Sequence, residues 1–376
     1  MSLSLENIHK TVGNEIHLKD IYLNFETGSR YVVLGRTLAG KTSLLRILAG
    51  LDRPGKGKLL SDGKDITGLS VRKRSVAMVY QQFVNYPSLN IYKNIASPLK
   101  IAGMEKTEID RKVRHTADIL HIGNLLDRLP AELSGGQQQR TAIARALVKE
   151  TELLLLDEPL VNLDYKLREE LRVELRGIFE KRSAIVVYTT TEPTEALMLG
   201  GNIIVMDEGR VLQTGPTAHV YHHPASMKVA EVFSDPPVNF IPGNVNGNGA
   251  ELGPEIRIPL SGHLSGLAQG NYIFGVRANH LFLKQQSPAD ASFHARVELS
   301  EINGSETFTH IRCNGTAMVV QDVGIFPLKI GAEISVFVRP DTFFAYDSEG
   351  KLVAAPAVSE RDDSYNPVSK MPLTDG

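Results

Sequence analysis

One stretch of eight residues has the composition and spacing of a phosphate-binding loop. It consists of Gly35, Arg36, Thr37, Leu38, Ala39, Gly40, Lys41 and Thr42. A glycine, four residues and then Gly-Lys-Ser/Thr form the P-loop pattern, in which backbone N–H groups at a helix N-terminus surround phosphate oxygens. Lys41 can neutralise the charge of a β- or γ-phosphate, and the Thr42 hydroxyl can bind Mg²⁺. The stretch follows a predicted strand and opens a predicted helix, which is the context that the motif requires.

Two acids lie farther along the chain, directly after four leucines at residues 153–156. They are Asp157 and Glu158. An apolar strand that ends in acids is a Walker B pattern, in which Asp157 would hold Mg²⁺ and Glu158 would polarise an attacking water. Many strands end in aspartate, so the pair alone indicates little. Because it follows a P-loop, it predicts a site that hydrolyses a nucleotide.

Residues 133–140 read Leu-Ser-Gly-Gly-Gln-Gln-Gln-Arg and precede the Walker B strand. This segment resembles the signature sequence of the ATP-binding-cassette (ABC) ATPases. Its residues Ser134, Gly135, Gly136 and Gln137 would form a second anion-binding helix start, which presents a hydroxyl and N–H groups to a γ-phosphate. In the family, that phosphate belongs to ATP bound on the other subunit. A solvated, glutamine-rich helix start is the alternative interpretation of the same residues.

The resemblance implies roles for further positions. Gln81 matches the Q-loop glutamine, which links the metal and the water to a helical subdomain, and Asp164 matches the aspartate of the D-loop. The implied nucleotide-binding set runs through the P-loop to Ser43, and the implied cofactors are ATP and Mg²⁺. The implied catalytic residues are Glu158, Lys41 and Gln81, and the implied metal ligands are Thr42, Gln81 and Asp157.

Within the family, the chain is most similar to carbohydrate importers of the maltose and glycerol-3-phosphate type. The features that carry this similarity are Tyr86-Pro87, Gly215-Pro216 with Tyr221 and Pro224 after it, and a C-terminal β-rich region in which residues 275–280 resemble a recurrent segment. The implied fold class is α/β. It comprises a P-loop ABC ATPase domain with a helical subdomain, followed by a C-terminal OB-like β-barrel domain.

Four positions depart from the family pattern. Val12 stands where an aromatic residue usually stacks on adenine, and base–aromatic stacking contributes roughly 1–3 kcal/mol in related settings. Thr191 stands at the position of the switch histidine, and threonine is shorter than histidine and does not titrate near neutral pH. Val161 replaces a small hydroxyl residue or alanine in the D-loop, and Arg36 replaces the P-loop proline.

These departures leave several hypotheses open. In one, Thr191 or a neighbouring threonine replaces the histidine, and the chain is a homodimeric ATPase of another sugar or sugar-phosphate importer. In another, which we expect, it is the degenerate half of an asymmetric heterodimer: its signature completes the partner's site while its own P-loop site hydrolyses ATP slowly. A soluble ABC ATPase outside transport, or a regulatory module that binds nucleotide without turnover, are further alternatives.

Short apolar runs and amphipathic stretches alternate over the first 235 or so residues, as these motifs require. Strands are predicted at 3–5, 16–25, 31–34, 75–80, 153–156 and 184–188, and a hairpin at 203–213. Helices are predicted at 41–49, 136–149 and 164–181, with mainly helical structure over 92–133. The fully apolar strands indicate a parallel sheet that is covered on both faces.

The composition of the sequence changes near residue 235, where Asp235-Pro236-Pro237 precedes a stretch rich in glycine and asparagine. Short strands follow, among them 272–276, 293–299, 307–311 and 334–338, and they predict one or two small β-barrels. The predicted domains are an ABC ATPase domain at 1–235 with its helical subdomain at about 86–150, an OB-like β-domain at 236–350 and a loose tail at 351–376.

Composition excludes several classes of protein. The 376 residues are 42% hydrophobic and 22% charged, which argues against disorder. Lys and Arg number 41 against 43 Asp and Glu, so no basic excess indicates nucleic-acid binding. A single cysteine, Cys313, allows no internal disulfide. No apolar run approaches the roughly 18–20 residues that span a bilayer, and the first residues lack the apolar core of a signal peptide.

We therefore expect the membrane-spanning parts of the transporter to be other chains. The resemblance implies two transmembrane permease subunits, a second ATPase subunit and, indirectly, a periplasmic or lipid-anchored solute-binding protein. The chain would lie at the cytoplasmic face of the bacterial inner membrane. Residues 37–42, 80–87 and 190–197 are most similar to one ATPase of a two-ATPase glycerol importer, so glycerol is the expected solute.

Overall fold

The computed structural model describes residues 1–357 except Phe83, Asn162 and Asn248. Within this range the chain divides into two compact units, Met1–Thr217 and a second unit that begins at Ala218. The strands of the first unit are β1 (Leu3–Val12), β2 (Glu15–Phe25), β3 (Arg30–Leu34), β4 (Lys56–Ser61), β5 (Lys64–Asp65), β6 (Val76–Val79), β7 (Leu153–Asp157), β8 (Ile185–Thr190), β9 (Asn202–Asp207) and β10 (Arg210–Pro216). Its helices are α1 (Lys41–Ala49), α2 (Ile91–Ile101), α3 (Lys106–Ile119), α4 (Gly135–Leu147), α5 (Tyr165–Glu180) and α6 (Pro193–Leu199).

A mainly parallel sheet forms the centre of the first unit, in the strand order β10-β9-β3-β8-β7-β6. β3 pairs in parallel with β8 and β9, and β7 pairs in parallel with β6 and β8. β7 and β8 are buried along their whole length, which confirms the prediction from their apolar sequences. Because parallel strands end at the same edge of a sheet, the loops after β3, β7 and β8 lie side by side.

Helix α1 has the predicted bounds, and Gly50 forms its C-cap in the left-handed region at φ 77°. Its residues Leu44, Leu45 and Leu48 are buried in one core with side chains of the central sheet. The same core includes residues of an antiparallel sheet in the order β2-β1-β4-β5. Full burial of a leucine side chain contributes about 1.5–3 kcal/mol. This packing therefore fixes the N-terminus of α1 and the loop before it.

The region predicted as mainly helical contains α2 and α3, which both pack against α4. The helical structure is interrupted between them near Gly103, whose backbone is left-handed at φ 73°. Short 3-10 turns follow at Gly123–Leu125 and Pro130–Glu132. The buried Asn94 side chain donates hydrogen bonds to the carbonyl oxygens of Tyr86 and Leu89, at 3.1 and 2.8 Å. These bonds fix the loop that precedes α2.

The second unit is mainly β-structure, as predicted. Its elements are α7 (Thr217–His222, which starts one residue before the unit), α8 (Met227–Val232), β11 (Asn239–Asn246), β12 (Gly249–Leu252), β13 (Ile256–Pro259), β14 (Gly270–Val276), β15 (Leu281–Phe282), β16 (Ala291–Asn303), β17 (Glu306–Cys313), β18 (Thr316–Val323), β19 (Glu333–Val338), β20 (Phe344–Tyr346) and β21 (Leu352–Ala354). One sheet has the order β13-β12-β11-β14-β20-β21 and another has the order β15-β19-β16-β17-β18. Apolar side chains of both sheets share one buried core, which gives a barrel-like domain.

The two units meet between residues 217 and 218, whereas the change in sequence composition predicted a domain boundary near residue 235. Arg277 in the second unit explains why the residues before 235 belong to it. Its guanidinium donates to the carbonyl oxygens of Tyr221 and Phe233, at 2.7 and 3.3 Å, and lies 3.7 Å from the centre of the Tyr221 ring. The change at residue 235 marks the start of the strands and not the start of the unit.

The prediction of a loose tail from residue 351 is wrong for its first residues. β21 pairs with β20, and Lys351 forms a β-bridge with Ser226. A short apolar strand at a sheet edge gives little sequence signal, which is why this one was not predicted. The remainder of the predicted tail, residues 358–376, lies outside the described residues. In the described part of the chain, the helices are too short or too polar to cross a bilayer.

Candidate nucleotide site

The P-loop connects β3 to α1 at the carboxyl edge of the central sheet. Leu38 and Gly40 both have positive φ, at 68° and 96°. A Cβ atom on Gly40 would lie 2.4 Å from the His17 carbonyl oxygen, so this position requires glycine for its backbone conformation and for its space. Leu38 is 92% exposed at the loop. The loop leads directly into the N-terminus of α1, and helix N-termini favour anions.

The Lys41 side chain lies within the loop. Its Nζ donates to the carbonyl oxygens of Gly35 and Arg36, at 2.7 and 3.0 Å. It also forms an ion pair with Oε1 of Glu158 at 3.0 Å, although Lys41 is only 4% exposed. The structure thus brings together the lysine of the P-loop and the second acid of the Walker B pair, which are far apart in the sequence.

Asp157 is buried between two threonine hydroxyls. Its Oδ1 accepts hydrogen bonds from Thr42 Oγ1 at 3.2 Å and from Thr189 Oγ1 at 2.9 Å. Burial raises the pKa of the Asp157 carboxyl above its ordinary range, and the two hydroxyl hydrogen bonds oppose that shift. A buried carboxylate next to a hydroxyl is an arrangement that a hard cation stabilises.

Glu158 has a left-handed backbone, with φ 44°. Its N–H donates to Thr189 Oγ1 at 2.9 Å, which holds the residue in this conformation. The Glu158 carboxylate is shared: Oε1 pairs with Lys41, and Oε2 accepts a hydrogen bond from Gln81 Nε2 at 3.3 Å. Gln81, which was predicted as a site residue from the resemblance, therefore lies beside the predicted catalytic acid.

The segment after β8 contains three consecutive threonines with different surroundings. Thr190 is buried and donates to Glu195 Oε2 at 2.6 Å, while Tyr188 donates to the same oxygen at 3.1 Å. Thr191 lines a narrow cavity together with Glu158 and Val161. Thr191, the predicted switch position, therefore lies near the predicted catalytic acid Glu158.

Arginine side chains connect this segment to the loop after β7. Arg168 donates to the Leu163 carbonyl oxygen at 3.3 Å and to Glu192 Oε1 at 2.5 Å. Arg172, which is buried, donates to Glu192 at 2.6 Å and to Glu195 at 3.2 Å. Asp164, the predicted D-loop residue, is the N-cap of α5 and accepts a hydrogen bond from the Leu167 N–H at 2.9 Å.

The signature segment forms the start of α4. Ser134 Oγ accepts from the Gln137 N–H at 3.3 Å, and Gln137 Oε1 accepts from the Ser134 N–H at 3.1 Å, which is a capping box. A Cβ atom on Gly136 would lie 2.4 Å from Leu167 Cδ2, whereas one on Gly135 would meet nothing within 4 Å. Gly136 therefore lets α4 pack closely against Leu167, whereas Gly135 faces open space.

Not every predicted site residue contacts the P-loop. In the part of the chain that the structure describes, no hydrogen bond or ion pair connects Val12, Ser134, Gln137 or Asp164 to it. Val12 ends β1, pairs with Glu15 across the turn and is 50% exposed. The site within this chain therefore consists of the P-loop, the Walker B pair, Gln81 and the end of β8.

Comparison with known proteins identifies the family of this chain. Residues 18–161 match the family model described as ABC transporter. The chain is 34% identical over 359 residues to an uncharacterized ABC transporter ATP-binding protein of Bacillus subtilis, YurJ, with 93% of this chain and 98% of that protein covered. This chain belongs to the ABC transporter ATP-binding proteins.

Two further relatives of this ABC ATPase have more specific names. One is the maltose/maltodextrin import ATP-binding protein MalK of Mannheimia succiniciproducens, at 34% identity over 93% of this chain and 96% of the relative. The other is the sn-glycerol-3-phosphate import ATP-binding protein UgpC 3 of Rhizobium etli, at 35% identity over 92% and 97%.

A solved structure is also similar to this ABC ATPase. It is the dimeric post-hydrolysis state of the ATP-binding cassette MJ0796 bound to ADP and Pi, with a TM-score of 0.52 and 29% identity. The match covers 57% of this chain and 98% of that one. As an ABC ATPase, the chain binds and hydrolyses ATP.

Sequence reasoning missed two polar contacts of this ABC ATPase. Thr189 contacts both Walker B acids, and Arg168 connects the loop after β7 to Glu192. The sequence did contain a signal for Thr189, because hydroxyl residues follow an apolar run in a strand that is buried on both faces. A buried hydroxyl needs a hydrogen-bond partner within the protein. Arg168 gave no comparable signal, since a charged residue on a helix is most often solvated.

Proposed function

We propose that this chain is the ATP-hydrolysing subunit of a bacterial ABC importer for a small polyol or sugar. The observation that carries the proposal is the cluster of Lys41, Thr42, Asp157, Glu158 and Gln81 at the carboxyl edge of the central sheet. The direction of transport and the solute class are supported by relatives named for maltose/maltodextrin import and for sn-glycerol-3-phosphate import. The chain covers nearly their whole length, including the β-rich second unit.

In this proposal the residues of the cluster have separate tasks. Lys41 exchanges its loop carbonyls for the β- and γ-phosphate oxygens of ATP, while the P-loop N–H groups bind the same phosphates. Glu158 orients the attacking water and takes up its proton, and Gln81 fixes the Glu158 carboxylate. Catalysis is then mostly positioning and stabilisation of charge.

Thr42 and Asp157 fit a Mg²⁺ ion, because they supply a hydroxyl and a carboxylate oxygen to one place. In the described part of the chain, no group of three or more His, Cys, Asp or Glu residues is arranged to hold a metal ion. That agrees with Mg²⁺, which is usually bound by one or two protein groups together with phosphates and water. When bound, Mg²⁺ neutralises charge on the phosphate oxygens.

We further propose that the chain is the weaker half of an asymmetric ATPase pair. Thr189 and Thr190 both use their hydroxyls for other partners, Asp157 and Glu195. They are therefore poor substitutes for a switch histidine, and Thr191 is too short to reach a γ-phosphate as imidazole does. Val12 offers no aromatic face to adenine. The signature at Ser134 has an intact capping box and can complete the site of a partner.

The proposed assembly contains two transmembrane permease subunits, a second ATPase subunit and, indirectly, a solute-binding protein. ATP brings the two ATPase subunits together, and this movement shifts the permeases through the helical segment that contains α2, α3 and α4. The chain is then peripheral at the cytoplasmic face of the inner membrane. Its β-domain pairs with the equivalent domain of the partner or binds a regulator.

Glycerol is the solute that we propose first. The sequences at 37–42, 80–87 and 190–197 support it, because they resemble one ATPase of a two-ATPase glycerol importer. Uptake of labelled glycerol, maltose and glycerol-3-phosphate in cells with and without this chain compares the candidates directly. Loss of glycerol uptake alone supports the proposal. Loss of maltose or glycerol-3-phosphate uptake with normal glycerol uptake contradicts it.

The function itself is tested by recovery of the complex. A tag on this chain is used to purify it from detergent-solubilised membranes of its host, and the associated proteins are identified by mass spectrometry. We expect two permeases and a second, different ATPase in equal amounts. Recovery of no membrane protein would contradict the transporter function, and recovery of this chain as the only ATPase would contradict the heterodimer.

A further inference from the structure

Thr189 lies beside Asp157 on the neighbouring strand. β7 and β8 are parallel, and their register pairs Asp157 with Thr189. Side chains of directly paired residues point to the same face of a sheet. Thr189 is completely buried, so its hydroxyl can find partners only within the protein.

The Thr189 hydroxyl has one hydrogen to donate, and its oxygen can accept. Donation to Asp157 Oδ1 at 2.9 Å is shorter than donation to the Leu156 carbonyl oxygen at 3.4 Å. The oxygen accepts the Glu158 N–H at 2.9 Å. One hydroxyl therefore contacts the side chain of one Walker B acid and the backbone of the next.

A valine would fill almost the same volume at this position. A hydroxyl in a buried strand costs free energy unless it is hydrogen-bonded, and here both of its short bonds go to the proposed site. Thr42 donates to the same Oδ1 atom of Asp157 at 3.2 Å. The two hydroxyls together restrict rotation of the carboxylate.

We propose that Thr189 is a positioning residue of the nucleotide site, whose hydroxyl fixes the Asp157 carboxylate and the Glu158 backbone and thereby sets the affinity for the divalent cation. The inference rests on the proposed function, since it takes Asp157 as a ligand of Mg²⁺ bound with ATP. Outer-shell partners of metal ligands typically change metal affinity or activity by about 10–100-fold when they are removed.

The test uses Thr189→Val, which removes the hydroxyl and keeps the volume, and Thr189→Ser, which keeps the hydroxyl. Mn²⁺ is the probe for the cation, and its binding in the presence of ATP is measured by electron paramagnetic resonance. Binding of ATP in EDTA gives the metal-free reference. Thr309→Val is the matched control, because Thr309 is a completely buried threonine in β17, in the other unit.

We expect Thr189→Val to bind Mn²⁺ at least tenfold more weakly than wild type, with metal-free ATP affinity unchanged. Thr189→Ser and Thr309→Val should remain within about twofold of wild type, since neither removes a hydroxyl that contacts Asp157. Circular dichroism checks the fold, and Thr189→Ala replaces Thr189→Val if that variant does not fold.

Wild-type affinity in a folded Thr189→Val protein would overturn the inference, and so would failure of Thr189→Ser to restore binding. If the wild-type chain itself binds no Mn²⁺ with ATP, the proposed function fails, which is a distinguishable result.

Discussion

The Nζ atom of Lys41 lies 3.0 Å from Oε1 of Glu158, and its two other partners are carbonyl oxygens of the P-loop. Lys41 therefore joins the phosphate-binding loop to the acid at the end of the Walker B strand. Phosphate oxygens that enter the loop compete with these three acceptors for the ammonium group. The charge balance of the loop and the position of Glu158 both depend on this contact.

Lys41→Ala should weaken ATP binding to this chain at least about tenfold, because a charge-assisted hydrogen bond contributes about 1.5–3 kcal/mol. Titration with a fluorescent ATP analogue measures the affinity. Lys166→Ala, at an exposed lysine of α5, removes the same charge away from the loop and should bind like wild type. Equal affinities of Lys41→Ala and wild type would contradict the placement of the phosphates.

Asp157→Asn should change stability in a pH-dependent way. Burial raises the pKa of the Asp157 carboxyl in the folded state, so the folded protein binds more protons than the unfolded chain between the two pKa values. Stability then falls as the pH rises through that window, and the ionised carboxylate destabilises the nucleotide-free fold above it. At pH 7 the variant should therefore have a higher Tm than wild type.

The same comparison at low pH is the control for that prediction. Below the ordinary carboxyl pKa of 3.8, Asp157 is protonated in both states, so the Tm values of variant and wild type should converge. Calorimetry at the two pH values measures this. A variant that is less stable than wild type at pH 7 would show that the carboxylate is stabilised without a cation.

Gly136→Ala and Gly135→Ala form a matched pair at the start of α4. An added Cβ at Gly136 would lie 2.4 Å from Leu167 Cδ2, and one at Gly135 would have no neighbour within 4 Å. Gly136→Ala should therefore lower the free energy of unfolding by about 1 kcal/mol through overpacking. Gly135→Ala should be neutral or slightly stabilising, because alanine favours a helix over glycine. Denaturant unfolding curves measure the free energy of unfolding of both variants. Equal changes in the two variants would contradict the packing of α4 against α5.

The motifs could be predicted from the sequence because each one is a local pattern. The P-loop, the bounds of α1 and the end of β7 follow from neighbouring residues, and a shared parallel edge then brings Lys41 and Glu158 together. The role of Thr189 depends on the register between β7 and β8, which no local pattern determines. The place of residues 218–234 in the second unit depends on Arg277, a contact across about fifty residues of chain.

Val12→Tyr should tighten ATP binding to this chain about fivefold or more, since base–aromatic stacking contributes about 1–3 kcal/mol. Val12 is half exposed beside the turn. Ile16→Tyr is the control, because Ile16 is also exposed but pairs with Thr11, which places it on the other face of the hairpin. Binding of inorganic tripolyphosphate should be the same in both variants and in wild type. Tighter ATP binding by the Ile16→Tyr variant but not by the Val12→Tyr variant would show that adenine does not lie against Val12.

In the proposed asymmetric pair, this subunit supplies an active signature to its partner while its own site turns over slowly. The most direct measurement is the ATPase rate of the purified transporter with Glu158→Gln or Ser134→Asp in this chain alone. Aspartate keeps the N-cap of α4 but places a negative charge against the phosphate of the partner's ATP. We predict that Glu158→Gln retains more than about half of the activity and that Ser134→Asp loses at least about tenfold, a loss of roughly 1.4 kcal/mol. Equal loss in both variants would contradict the asymmetry.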